Sequence, residues 1–352
     1  MRGHQSVIAV TERSQVGEAR REANRLAELA GFGAVEAGNA AIVAAELATN
    51  LVRYAVEGRL LIQTESTAAR TSLILLSDDR GPGMENLGAC LTDGYSTGGT
   101  PGNGFGAMRR LSTVFDLHSS VPGGTVIYAR IDRPADRSAA AAAAARDQPG
   151  FSWGVVNRPM PRETVSGDTW RIEEREGMLA VMVADGLGHG PEANAAAELA
   201  GDVFDRDPFG AVSGLLTDAH ETMRGSRGGA VAYAQADARR GSLNFAAVGN
   251  IAGSLRSAAD GTSRGLFSHN GTVGVQVRKV QTFDYEYPHN ALLILHSDGL
   301  QSRWSLDAYP GLAQRHPGVI AGVLARDFDR GRDDVTVAVI RRGAEGRSDA
   351  AG

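Results

Sequence analysis

Four acidic segments, each set where an apolar run meets a turn, constrain this 352-residue chain more than any other feature. Ser166-Gly167-Asp168 precedes a strand-like run. Val183-Ala184-Asp185-Gly186-Leu187-Gly188-His189-Gly190 ends a second run and opens a helix. His296-Ser297-Asp298-Gly299 follows the apolar stretch 291–295, and Arg332-Asp333-Asp334-Val335-Thr336 leads into the last strand. A single Asp-Gly pair is ordinarily a turn. Four acids in this order at four strand ends call for a fold whose loops converge and bring the carboxylates to one point. Clustered carboxylates raise one another's pKa unless cations neutralise them. These are hard oxygen ligands, and the single cysteine, Cys90, excludes a Cys-rich metal site and an intramolecular disulfide. The donor set points to Mg²⁺ or Mn²⁺ rather than zinc.

The length implies two domains, because single cores stop growing at roughly 250–300 residues. The seam lies at 132–150, where Arg133-Pro134 closes a strand-like run, seven alanines fill 139–145, and Asp147-Gln148-Pro149-Gly150 reads as a turn. The expected division is a first domain over 1–133, an Ala-rich linker over 134–150, a second domain over 151–342 and a flexible tail over 343–352. A net charge of -5 provides no basic footprint for nucleic acid. No apolar run approaches the ~18–20 residues of a membrane span. Residues 1–10 lack a signal-peptide core, so a cytoplasmic location is expected. Lys279 is the only lysine, which rules out a Gly-Lys-Ser/Thr P-loop. Any nucleotide must be held by another device.

In the first part, the pattern predicts a strand over 6–10 and helices over about 15–30, ending at Gly31, and 37–56, stopping at Gly58. Strands at 60–64 and 72–77, a helix near 106–114, and strands at 115–119 and 125–131 complete an α/β sandwich with helices on one face. The second part reads as a β-sandwich with two flanking helices, near 191–204 and 209–223. On the second helix of the first part, Glu46 and Asn50 stand four apart and share a face. Alone, such a pair is two solvated polar residues. Here it is followed by Asp79-Arg80-Gly81-Pro82-Gly83 and then by Gly102-Asn103-Gly104-Phe105-Gly106 at a helix start. Glycines there permit close approach of backbone to ligand, and a helix N-terminus offers free N–H groups to phosphates.

That order resembles the Bergerat-fold (GHKL) ATPases, and among them the RsbT/RsbW-type anti-sigma-factor serine kinases, over about residues 7–131. The resemblance implies Mg-ATP as cofactor, with Asn50 holding the Mg²⁺, Asp79 accepting from the adenine amino group, and Thr125 supporting that contact. Gly81, Gly83, Gly102, Gly104 and Gly106 would wrap the nucleotide under a lid over about 84–103. Glu46 falls where these kinases have the base that orients the attacking serine hydroxyl.

The four acidic segments are similar to those of the SpoIIE/RsbX branch of the metal-dependent PPM serine/threonine phosphatases, whose fold is an α-β-β-α sandwich. The similarity covers about 154–341. It implies a catalytic Asp185 bridging two ions, with the Gly186 carbonyl and Asp168 on one and Asp298 and Asp333 on the other; Asp334 falls to an outer role. His189 suits either a proton donor or a structural residue, and Arg158 and Arg162 either phosphate contacts or surface charge.

The fold class expected is therefore two-domain α+β. The implied function is a bacterial partner switch in which one domain phosphorylates a STAS-domain antagonist or stressosome protein and the other dephosphorylates it. In the alternative, the first domain senses ATP or docks a STAS protein or sigma factor without transferring phosphate.

Overall fold

A computed structural model of the chain describes residues 5–68, 70–85, 104–134 and 150–343. The expected linker, tail and lid fall almost wholly outside the described residues, as does Gly102. By its contacts the chain splits into two compact units: Met1–Arg146 with Gln314–Val323 and Glu345–Gly352, and Asp147–Ala313 with Leu324–Ala344.

The first unit carries a five-stranded antiparallel sheet of β1 (Gln5–Ala9), β2 (Arg59–Ser66), β3 (Thr71–Asp78), β4 (Val114–Ser120) and β5 (Gly124–Asp132), in the order β1-β2-β3-β5-β4. Three helices, α1 (Ser14–Leu29), α2 (Ala34–Tyr54) and α3 (Gly104–Leu111), share a core with it. α1 and α2 meet through small residues: Ala19, Ala23 and Ala27 on one, Ala37, Ala40 and Ala44 on the other, all buried. Alanine combines high helix propensity with a short side chain that lets helix axes approach. The turn between the two helices uses glycine as expected. Gly31 takes φ +76°, which only glycine adopts cheaply, and the Phe32 N–H then reaches the Ala27 carbonyl at 3.0 Å. At the far end, α2 stops at Tyr54 before the predicted Gly58, and a non-glycine, Glu57, takes the left-handed φ of 54°.

The second unit is a sandwich of two five-stranded sheets. β6 (Phe151–Arg158), β7 (Asp168–Arg175), β8 (Met178–Gly186), β9 (Gly229–Asp237), β10 (Ser242–Val248), β11 (Ala252–Arg256), β12 (Ser263–Gly265), β13 (Gly271–Thr272), β14 (Gln276–Val277), β15 (Phe283–Glu286), β16 (Leu292–His296) and β17 (Val335–Arg342) are its strands. One sheet runs β15-β10-β9-β8-β7, the other β12-β11-β16-β17-β6, and β13 and β14 pair as a small hairpin. β8 shows how sequence sets the layers. Leu179, Val181 and Val183 join Trp153, Val155, Leu293, Leu295 and Ile340 in the core between the sheets. The alternate residues Ala180, Met182 and Ala184 face α4 (Gly190–Arg206) and α5 (Val212–Thr222), packing with Ala197, Phe204 and Leu216. The period-two alternation of a strand thus serves two apolar layers at once. The helix α6 (Pro317–Phe328), which precedes β17, is divided between the two units at Val323. No helix among the described residues is long and apolar enough to cross a membrane.

Candidate functional site

The acidic cluster is assembled by strand register. β7 and β8 pair antiparallel, and that pairing sets Asp168 directly opposite Asp185. Directly opposed residues of an antiparallel pair have adjacent Cβ atoms, so two like charges are forced together in a way that destabilises the bare sheet. Asp298 follows β16, and Asp333 precedes β17, which pairs with β16. Asp185, Asp298 and Asp333 all line one open cleft of about 570 Å³, together with Leu187, His189, Asn250 and Thr272. Asp168 lies beneath it, 3% exposed.

Asp168 and Asp298 are held by neighbours that the sequence did not mark as functional. Ser297 Oγ donates to Asp168 Oδ2 at 2.6 Å and itself accepts from the Thr336 N–H at 2.9 Å, tying Asp168 to the opposite sheet. Asn250 Nδ2 donates to Asp298 Oδ2 at 2.6 Å. Ser297 was legible as the residue before Asp298; Asn250 carried no signal beyond a Gly-Asn after a strand. Asp334 does something different. Its oxygens accept from the Met160 and Gly167 N–H groups at 2.7 and 2.8 Å, so it clamps the loop that delivers Asp168.

Burial, followed by the charges of Asp168, Asp298 and Asp333, pushes the Asp185 carboxyl upward from the ordinary aspartate range. Burial raises Asp168 as well, against the opposing pull of its hydrogen bonds to Ser297 and Thr336. Among the described residues no three of His, Cys, Asp or Glu are gathered tightly enough to enclose an ion as they stand. The arrangement is a set of neighbouring oxygen donors whose ionisation a divalent cation would favour, which fits Mg²⁺ or Mn²⁺ and not a soft metal.

Glycines make the cluster sterically possible. A Cβ on Gly186 would lie 1.9 Å from the Ala193 carbonyl oxygen, and one on Gly229 would lie 2.2 Å from that of Asp185. Both neighbours are backbone and cannot swing away. Gly186→Ala is therefore expected to destabilise the protein by about 3 kcal/mol through overpacking, read as a lowered midpoint in urea; an unchanged midpoint would contradict the close approach. His189 is half exposed at the rim of the cleft, its Nδ1 2.8 Å from Glu163 Oε1.

In the first unit, Glu46 and Asn50 lie on α2 as expected. The Asn50 Nδ2 is buried and has no hydrogen-bond partner among the described residues. Buried polar groups are nearly always paired, so this orphan N–H donor asks for an acceptor, such as a phosphate oxygen. A Cβ on Gly104 would sit 2.8 Å from Glu46 Oε2, which places the carboxylate against the first residue of α3. Gly106 is buried within that helix. Asp79 and Thr125 are joined across the sheet end, the Asp79 N–H donating to the Thr125 carbonyl at 3.0 Å. The Asp79 carboxylate also accepts from the Gly81 N–H at 2.7 Å. Gly81 and Gly83 are required here by protein backbone, since their Cβ atoms would meet the Tyr54 and Ser120 carbonyl oxygens at 2.5 and 2.1 Å.

Comparison with known proteins agrees with this division. A histidine kinase-like ATPase domain model matches residues 9–131, and the Stage II sporulation protein E (SpoIIE) model matches residues 175–343, which leaves Asp168 just outside the matched span. The serine/threonine-protein kinase RsbT of Bacillus subtilis (strain 168) is 30% identical over 125 residues, covering 36% of this chain and 94% of RsbT. The phosphoserine phosphatase RsbX of the same organism is 24% identical over 138 residues, or 39% of this chain and 69% of RsbX. A chain from a solved structure of the bacterial stressosome, described as a modular system adapted to control secondary messenger signaling, is 28% identical. It covers 54% of this chain and 99% of that chain, with a TM-score of 0.51. The chain thus belongs to the RsbT family of partner-switching kinases through its histidine kinase-like ATPase domain, and joins to it a SpoIIE-type, PP2C-class serine/threonine phosphatase domain.

Proposed function

We propose that this protein sets the phosphorylation state of a STAS-domain regulator of the antagonist or stressosome type. Its second domain removes phosphate from serine or threonine, and its first transfers phosphate from Mg-ATP. The observation that carries the reading is the facing pair Asp168 and Asp185, with Asp298 and Asp333 beside an open cleft. In this reading Asp185 would help hold both of two divalent ions, with Asp168 and the Gly186 carbonyl at one and Asp298 and Asp333 at the other. Ions held there would supply Lewis acidity toward a phosphate ester and an attacking water. The chain's own contribution is placement. Ser297 fixes one oxygen of Asp168 and Asn250 one oxygen of Asp298, and Asp334 holds the Asp168 loop in position.

At the first site, Asn50 would hold the Mg²⁺ of Mg-ATP, Asp79 would receive the adenine amino group with Thr125 beside it, and the start of α3 with Gly104 would face the phosphates. Glu46, against Gly104, orients the hydroxyl that attacks. Support for nucleotide comes from the Asn50 Nδ2 donor, unpartnered among the described residues and suited to a phosphate oxygen, while Oδ1 would be the atom for Mg²⁺. The test uses the full chain and a STAS-domain protein phosphorylated on serine. Phosphate release should require Mn²⁺ or Mg²⁺ and stop on chelation. Release that persists in excess chelator would overturn the reading.

A further inference from the structure

The carboxylates explain how cations would be held in the cleft but not why a phosphate would enter it. Taking Asp168, Asp185, Asp298 and Asp333 as ligands, two divalent ions would just cancel four carboxylate charges. The loaded cleft would then carry little net charge, so beyond the ions' own Lewis acidity it would have little long-range pull on a phosphomonoester dianion. A further cationic group would add that pull, and the cleft lining offers few. His189 is engaged with Glu163 at 2.8 Å. Arg227, close to Gly188, is ion-paired with Glu192. Arg158 is buried, and neither it nor Arg162 is part of the lining. Arg332 is part of it, beside Asp333, and is exposed.

The loop carrying Arg332 is fixed while its side chain is not. The Arg330 N–H donates to the Gly299 carbonyl at 2.9 Å, and Gly331, at φ +65°, donates its N–H to Asp329 Oδ1 at 2.6 Å. On the other side, the Asp334 N–H donates to Asp333 Oδ1 at 2.9 Å. Among the described residues the Arg332 guanidinium makes no hydrogen bond or ion pair, so none must be broken for it to turn to a ligand. A guanidinium presents paired donors that match two oxygens of a phosphate, which a lysine cannot do.

We propose that Arg332 is the residue that binds the phosphate of the phosphoserine or phosphothreonine substrate, an inference that rests on the phosphatase reading above. It contacts the non-reacting phosphate oxygens and so acts chiefly in binding. The test uses the Mn²⁺-loaded full chain, with calorimetric binding of inorganic phosphate and steady-state hydrolysis of p-nitrophenyl phosphate. Arg332→Ala should weaken phosphate binding and raise KM together by roughly 10- to 100-fold, as expected for a charge-assisted bidentate contact, with a smaller change in kcat. Arg332→Lys should recover part of the loss. Wild-type Kd and KM in an active Arg332→Ala protein would overturn the assignment while leaving the phosphatase reading intact. A wild-type protein that neither turns over nor binds phosphate with Mn²⁺ would overturn the phosphatase reading itself, and this inference with it.

Discussion

Asp185→Asn is expected to abolish Mn²⁺-dependent phosphate release while making the metal-free protein more stable. The two effects share one cause. Asp185 is partly buried, faces Asp168 across the β7–β8 ladder, and feels Asp298 and Asp333, so its charge is unfavourable in the folded chain. Asparagine keeps the shape and removes the charge. Loss of a ligand proposed to bridge both ions should lower kcat/KM by at least about 1,000-fold. Relief of repulsion should raise stability by an amount on the order of 1 kcal/mol. The pH dependence has a definite sign. Folding raises this carboxyl from about 4 to about 9, so within that window the folded chain binds more protons than the unfolded chain. Stability of the metal-free wild type therefore falls as pH rises through the window. Asp185→Asn should flatten that fall, and Mn²⁺ should stabilise the wild type increasingly with pH. Thermal melts at several pH values with and without Mn²⁺ measure all three, and a variant that melts lower than wild type at neutral pH without metal would contradict the account.

A parallel result is expected at the first site. Asn50→Ala should weaken Mg-ATP binding by roughly 100-fold or more, the scale of a lost ligand to a charged group. It should leave the stability of the free protein within about 1 kcal/mol of wild type, because among the described residues the buried Asn50 amide nitrogen has no partner whose bond its removal would sacrifice. Calorimetric titration with Mg-ATP and a urea melt of the same sample separate the two outcomes. Full affinity would remove Asn50 from the site; a large loss of stability would mean that its amide serves the fold. At both sites the proposed functional groups are unfavourable or unfulfilled in the free chain, a pattern expected where local structure answers to a ligand rather than to folding.

What could be read from the sequence follows from the same physics. The β7–β8 and β16–β17 ends were legible because an apolar run stopping at Asp-Gly, repeated in order, has few other uses. Gly31 was legible as a helix stop because its requirement is local. The helix α6 was not. Its sequence His-Pro-Gly-Val-Ile-Ala-Gly-Val-Leu-Ala-Arg has no polar face, and Val319, Ile320, Ala321, Val323, Leu324 and Ala325 are all fully buried. With two glycines and no amphipathic period, no helical signal reaches the reader. Asn250, and the part Ser297 plays in holding Asp168, were hidden for another reason. Each acts through a neighbour brought close by sheet pairing or loop closure, and single polar residues in loops look alike until those contacts exist. Gly81 and Gly83 show the reverse case: their glycines were visible, but only the fold shows that the Tyr54 and Ser120 carbonyls demand them.

On the proposed function, one chain carries two opposed activities at separable sites. The most direct measurement is the intact mass of a STAS-domain partner incubated with Mg-ATP and Mn²⁺ in the presence of wild type, Asp185→Asn or Asn50→Ala. The account predicts that Asp185→Asn drives the unphosphorylated partner to a stable gain of one phosphate, while Asn50→Ala only removes phosphate from a partner supplied in the phosphorylated form. Wild type should do both in turn. A partner whose mass never rises with Asp185→Asn and Mg-ATP, although wild type dephosphorylates it, would contradict the claim and leave a phosphatase with a silent first domain.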